Sequence, residues 1–207
     1  MSTGNAYGTG TTTVGTGLPV WVEILGKWQA GGKVTVLPAA GTVIPAGTPV
    51  EMNSEDHTAK VLNFYRVHES INGSATTLKL TVLPGLPRLV AGKFIMVPPT
   101  TMAGTGTAIT VGTVTTGATY DSITIVANSL GSLTAGDLLV EAAGNSTGQA
   151  YFALPNALTA NDVYIDANTT YATVAGVYSG KVYAKRTPLM NSVVKNNMPQ
   201  IAFDNSY

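Results

Sequence analysis

From Leu18 onward, apolar and polar residues alternate along most of the chain with a period of two. In Leu78-Lys79-Leu80-Thr81-Val82 the three apolar residues share one face, and Lys79 and Thr81 occupy the other. That is the period of a half-buried strand, not of a helix. Leu18-Pro19-Val20-Trp21-Val22-Glu23-Ile24-Leu25-Gly26 reads as an apolar strand, with Gly31-Gly32 as a turn before the next one.

A longer pattern then repeats. Lys33-Val34-Thr35-Val36-Leu37-Pro38 leads through a loop to Ala46-Gly47-Thr48-Pro49-Val50-Glu51. Lys79-Leu80-Thr81-Val82-Leu83-Pro84 leads likewise to Ala91-Gly92-Lys93-Phe94-Ile95-Met96, and Ser122-Ile123-Thr124-Ile125-Val126 leads to Ala135-Gly136-Asp137-Leu138-Leu139-Val140-Glu141. The Ala-Gly pairs fall 45 and 44 residues apart. Each unit predicts a strand, a loop and a returning strand entered through Ala-Gly, where glycine permits the positive φ of a tight turn. The copies lack a Trp-Asp propeller signature, and their β-branched content speaks against helical arrays. Chance similarity among β hairpins is the alternative explanation of the likeness.

Helix is scarce. The best candidate opens at Thr187, as N-cap, with Pro188 at the first helical position, and runs from Leu189 through Asn197 until Pro199 ends it. Met190, Val193 and Val194 fall on one face of it. A second helix is expected over Ser54 to Tyr65, from a Ser-x-x-His start and mixed charges. The tail Gln200-Ile201-Ala202-Phe203 reads as a short apolar strand that packs. The pattern thus predicts an all-β fold, a barrel or sandwich built from one or two small β subdomains, with an extended N-terminal arm and a short C-terminal helix. The expected divisions are an arm over 1–17, subdomains over 18–98 and 99–186 that part near Pro98-Pro99, and a helix with packed tail over 187–207.

The arm alternates Gly4, Gly8, Gly10, Gly15 and Gly17 with Thr9, Thr11, Thr12, Thr13 and Thr16; only Tyr7 and Val14 add appreciable apolar surface. Ordering it costs about 1–2 kcal/mol per residue in backbone entropy, so it is expected to order only along a partner. Composition extends this picture. Of 207 residues, 11% are charged, 11 basic against 11 acidic, while the chain holds 23 Gly, 11 Pro and 30 Thr. A typical soluble domain carries roughly 25% charged residues, and low net charge favours association. An exterior of this kind suits a protein covered by copies of itself or by a partner.

Several classes drop out. The chain has no cysteine, which excludes a disulfide framework, Cys-ligated metal sites and a thiol nucleophile. A net charge of zero lacks the clustered basic surface that nucleic-acid binding requires. No apolar run approaches the ~18 residues of a spanning helix, and the first residues resemble no secretory signal. The expectation is a cytoplasmic product, or one released by lysis, with no membrane or nucleic-acid partner.

Candidate chemistry is thin. His57 sits beside Ser54 and Glu55, and His68 beside Glu69 and Ser70, but neither group lies in a Gly-x-Ser-x-Gly elbow. Neighbours on a strand face opposite ways, so neither cluster preassembles a triad. Asp121, Asp137 and Asp162 are expected at turns, where Asp bonds nearby backbone. No EF-hand or phosphate-binding loop is present; the expectation is no enzyme activity, no cofactor and no metal. Between Asp166 and Asp204 stand Lys181, Lys185, Arg186 and Lys195 with no acid. They read as a solvated edge that discourages strand pairing, or as a patch that meets an acidic partner surface. Tyr164, Tyr171, Tyr178 and Tyr183 concentrate nearby, as interface residues, strand fillers or a sugar platform.

The Gly/Thr arm and Gly41-Thr42-Val43-Ile44-Pro45-Ala46-Gly47-Thr48-Pro49-Val50 resemble capsid decoration and head-fibre proteins of tailed bacteriophages. So do Tyr120-Asp121-Ser122-Ile123-Thr124, Leu133-Thr134-Ala135-Gly136-Asp137-Leu138-Leu139, and the closing Lys185-Arg186-Thr187-Pro188 and Met198-Pro199-Gln200-Ile201-Ala202-Phe203. The resemblance implies an all-β virion protein on the capsid exterior, bound to the major capsid protein and commonly trimeric. It carries no catalytic residues over. The chain lacks a coiled-coil stalk or glycine-repeat shaft, which favours a compact decoration or fibre-base module. Expected capsid or partner contacts are Tyr7, Val14, Lys181, Lys185, Arg186, Lys195 and Phe203. The alternative is a host-glycan adhesin that uses Tyr164, Tyr171, Tyr178 and Tyr183.

Overall fold

The computed structural model describes residues 19–84, 86–126 and 129–205. The strands fall into three stretches, over 21–61, 64–149 and 157–204; the first holds β1 (Trp21–Lys27), β2 (Gly32–Val34), β3 (Thr42–Ile44), β4 (Pro49–Asn53) and β5 (Thr58–Val61). The middle holds β6 (Phe64–Arg66), β7 (Thr77–Thr81), β8 (Phe94–Met96), β9 (Gly106–Thr110), β10 (Val114–Thr115), β11 (Tyr120–Thr124), β12 (Leu138–Glu141) and β13 (Ser146–Gln149). The last holds β14 (Ala157–Thr159), β15 (Val163–Ile165), β16 (Thr173–Val174), β17 (Gly176–Tyr183), the short helix α1 (Ser192–Asn196) and β18 (Ile201–Asp204).

The fold is all-β, as the alternation predicts, but its sheets are nested. An eight-stranded sheet, curled into a half-barrel, runs β1-β17-β14-β4-β5-β2-β16, with β18 also on β17. It is made wholly from the first and last stretches. The middle stretch forms a five-stranded sheet, β13-β9-β8-β12-β6, and a three-stranded sheet, β10-β11-β7, while β3 and β15 pair separately. Pairing crosses Pro98-Pro99: β8 bonds to β9 just beyond it, and β7 to β11.

Three apolar clusters follow this layout. Val34, Ile44, Val50, Val61, Ile165 and Val174 fill one side of the half-barrel. Leu78, Ile95, Ile123 and Leu139 fill the middle region. The third cluster joins them, with Met96 and Val140 of the middle against Leu158, Val182, Val194 and Ile201.

The three Ala-Gly pairs adopt one geometry. Gly47, Gly92 and Gly136 take φ of 78°, 83° and 97°, as the third position of a type II turn requires. Each turn closes with a bond from the following residue: Thr48 to Pro45, Lys93 to Val90 and Asp137 to Thr134. Each glycine N–H then donates to a neighbouring chain segment, at Thr159, Val111 and Val67, and that same residue's N–H returns a bond to the carbonyl of Thr48, Lys93 and Asp137 respectively. The repeat read along the chain is therefore a repeated structural device, since its turn bonds and its cross-chain bonds coincide in all three copies.

Local expectations are corrected in two places. Ser54–Tyr65 is not a helix: a turn over 54–57 joins β4 to β5, and Glu51↔Lys60 and Met52↔Ala59 pair across it. Alternate burial of Ala59 and Val61 outweighs the weak capping signal. The C-terminal helix begins four residues later than expected. Asn191 caps it by accepting from the Val194 N–H at 2.9 Å, whereas the Thr187 hydroxyl turns back to the Ala184 carbonyl. Met190 is already committed to the core before the helix starts.

Candidate interaction surface

The basic segment and the start of the described chain meet at one end of the half-barrel. β1 pairs antiparallel with β17, and β18 runs parallel to the second half of β17 on its other side. The Tyr183 N–H donates to the Val20 carbonyl at 2.9 Å, and an Arg186 Nη1 donates to the Pro19 carbonyl at 3.1 Å. The Arg186 guanidinium lies 4.1 Å from the centre of the Tyr183 ring, a cation–π contact that holds the donor in place. The described chain thus begins, at Pro19, beside the C-terminal basic residues.

Most of those basic side chains have intramolecular partners. Lys181 contacts Asp204 at 2.8 Å, and that hydrogen bond raises the lysine pKa above its ordinary value. Lys195 stands 5.3 Å above the Phe203 ring. Lys185 is exposed and projects its charge outward. Tyr7 and Val14 lie outside the described residues.

The four tyrosines do not share one environment. Tyr164, on β15, and Tyr171, just before β16, are 58% and 67% exposed. Tyr178 packs edge-on against Trp28, ring centres 6.0 Å apart, and lies across Gly26. Tyr183 stacks with Arg186. β1 itself carries exposed apolar side chains, Val22 and Ile24 at 42% and Leu25 at 70%, on the outer edge of the sheet.

The histidine clusters disperse. His57 stands on the β4–β5 turn with φ 51°. The His68 ring packs against Tyr120, Glu69 pairs with Lys79 at 2.8 Å, and the Ser70 hydroxyl accepts from the Ala135 N–H. Asp137 and Asp162 serve turns, accepting from the Thr134 and Ala46 N–H groups. Asp121 departs from expectation. It lies within β11 at 4% exposure, and its Oδ1 accepts from Arg88 and from the Gly117 N–H.

One polar group escaped the sequence reading. Glu141 ends β12 and is only 3% exposed. The Tyr65 hydroxyl donates to its Oε1 at 3.0 Å, the Asn63 amide approaches its Oε2 at 3.3 Å, and the Lys93 ammonium stands 3.8 Å away. Burial raises the Glu141 pKa despite those three partners, and burial with the adjacent carboxylate raises that of Tyr65 well above its ordinary value. The cluster floors a shallow open concavity walled by Val36, Leu37, Pro87 and Phe152. Its signal in the sequence is an acid closing the apolar run Leu138-Leu139-Val140. Both of its carboxylate oxygens accept hydrogen bonds within the fold, the arrangement of a structural network.

Among the described residues no group of His, Asp and Glu has metal-binding geometry, and no helix is long and apolar enough to cross a membrane. No protein-family model matches this chain, and no curated protein or solved structure matches it.

Proposed function

We propose that this chain is a virion structural protein that binds the outer surface of a tailed-phage capsid as a decoration or head-fibre base protein, without catalysis. The observation that supports the reading is the meeting of the N-terminal exit with the C-terminal basic segment, through Arg186 and Tyr183 on Pro19 and Val20. It sets the first described residues, to which the expected arm over 1–17 attaches, beside the basic segment singled out as a contact. Contacts of this kind, individually weak, add up across a lattice through multivalency.

The experiment is co-sedimentation with purified phage heads. Deleting residues 1–17 is expected to abolish it while leaving the circular dichroism and thermal unfolding unchanged; undiminished co-sedimentation would refute the reading. The exposure of Tyr164 and Tyr171 favours a second reading, a host-glycan adhesin. A glycan array on which Tyr164→Ala and Tyr171→Ala remove a wild-type signal would support it, and a blank array would end it.

A further inference from the structure

The concavity floored by Glu141 holds the reactants of a covalent bond. We propose that the Lys93 amine attacks the Asn63 carboxamide, with Glu141 moving a proton between them, so that the folded chain closes an isopeptide bond between these two side chains and releases ammonia. The event occurs once per molecule and takes no outside substrate. It stands apart from capsid binding and needs no head to test.

The order of the five-stranded sheet brings the three groups together. β12 lies between β8 and β6. Glu141, the last residue of β12, pairs with Ile95 of β8, two residues beyond Lys93. On the other side its N–H donates to the carbonyl of Asn63, the residue before β6, at 3.3 Å. The Glu141 carboxylate therefore stands between the two side chains. Its Oε1 is 3.8 Å from Lys93 Nζ, and its Oε2 accepts from Asn63 Nδ2 at 3.3 Å. The Tyr65 hydroxyl steadies the carboxylate by donating to Oε1 at 3.0 Å. Arg88 lines the same concavity, but its guanidinium is committed to Asp121 and to the Gly117 carbonyl.

An ammonium must lose a proton before its nitrogen can attack, and an amide nitrogen must gain one before it leaves. Glu141 reaches both nitrogens. Its carboxylate takes a proton from Nζ, whose lone pair then forms the Nζ–Cγ bond. The resulting acid gives that proton to Nδ2 as the Cγ–Nδ2 bond breaks. The further proton that Nζ sheds on becoming an amide leaves with the ammonia, as ammonium. Atoms and charge balance with no other reactant. Burial raises the Glu141 pKa, which fits a carboxyl group that must hold a proton in mid-reaction. The Phe152 ring, centred 5.3 Å from Nζ, and the walls formed by Val36, Leu37 and Pro87 limit the water that competes for Cγ. Lys60 with Glu51 and Lys79 with Glu69 lack this setting, since both carboxylates are far more exposed. Holding reactants in one place replaces a bimolecular encounter, with effective molarities of about 10⁵–10⁸ M in well-oriented cases.

The bond ties residue 63, where the chain passes from β5 of the half-barrel to β6 of the five-stranded sheet, to the entry of β8. It encloses the chain from 63 to 93 in a covalent ring that persists in denaturant.

The test is the intact mass of the purified full chain, denatured after days of incubation at neutral pH. Wild type is expected to be lighter than its sequence by one ammonia, and proteolysis is expected to yield a branched peptide joining the Asn63 and Lys93 segments. Lys93→Arg keeps the charge at a half-exposed position but removes the nucleophile, and is expected to keep its full mass. Glu141→Gln is expected to form the bond at least about a hundredfold more slowly, the lower range of general acid–base catalysis. Thermal unfolding checks that each variant is folded, and Lys93→Arg carries the test should Glu141→Gln disturb the fold. A wild type that keeps its full mass would overturn the inference. So would loss of ammonia that persists in Lys93→Arg, the mark of an asparagine cyclising on its own backbone, or a folded Glu141→Gln that reacts as fast as wild type.

Discussion

The three Ala-Gly turns are a natural experiment in the cost of a methyl group. Gly47, Gly92 and Gly136 hold the same left-handed backbone and the same bonds, but their surroundings differ. A Cβ at Gly92 or Gly136 would meet no atom within 4 Å, whereas one at Gly47 would lie 2.8 Å from Val20 Cγ1 and 3.3 Å from Thr187 Cγ2. Alanine in a left-handed conformation costs about 1–2 kcal/mol, of which the stiffer unfolded chain returns about 0.4–1 kcal/mol. Gly92→Ala and Gly136→Ala should therefore each destabilise by about 1 kcal/mol. Gly47→Ala adds overpacking of about 1–3 kcal/mol, because Val20 is tied to β17 and Thr187 to Ala184 and neither can move freely. Urea unfolding at 25 °C measures all three, and an unchanged m-value shows that the same surface unfolds. Equal losses at the three sites, or no loss at Gly92 and Gly136, would refute the reasoning.

Other predictions rest on the buried acids and on one indole. Because the folded-state pKa of Glu141 is raised by burial, the folded state holds that proton more tightly than the unfolded chain. Its contribution is thus fully present at low pH and is lost as pH climbs from the ordinary value of 4.5 through the raised one. Stability measured at successive pH values should be flatter over that window in Glu141→Gln; an identical slope would show that Glu141 does not set it. Asp121→Ala should cost about 1–3 kcal/mol in chemical denaturation, below the full penalty for a buried pair because Arg88 keeps access to water; a loss under 0.5 kcal/mol, the scale of an ordinary surface change, would contradict the bonding described. Trp21→Phe should cost about 1 kcal/mol through the lost indole bond to the Thr159 carbonyl, and native-state hydrogen exchange should rise first in β14 and β17.

Strands were legible wherever one face is buried and the other is not. β7 shows it: Leu78 and Leu80 are buried, while Thr77 is exposed and Lys79 and Thr81 are half-buried. The Ala-Gly turns were legible because positive φ so strongly selects glycine. What the alternation left dark is which strand pairs with which. β14 and β4 are separated by over a hundred residues, yet Leu158↔Pro49 is a direct partner pair. Nothing local distinguishes that partner from a nearer strand of the same period, so a division at Pro98-Pro99 looked natural on composition. The helix start was misplaced for a related reason: Thr187-Pro188 carries a capping signature, but the core's claim on Met190 and the Asn191 cap decide the matter. Of the surface, the basic residues could be named in advance. Their contacts with Asp204, Phe203 and Tyr183 depend on β18 lying beside β17 and on the chain turning back after Tyr183.

That internal pairing bears on why so few charges suffice. The chain has eleven acids and eleven bases, and among the described residues five of each are joined in ion pairs. Several remaining acids bond backbone N–H groups at turns, as Asp162 does at Ala46. The charge facing water is therefore smaller still than composition implies, and Thr, Gly and Tyr govern the exterior. On a densely charged protein, three exposed aliphatics on an edge strand would be screened by neighbouring repulsion. On this one, Glu23 and Lys27 are the only charged residues on β1. A surface that offers little long-range repulsion leaves association to short-range fit.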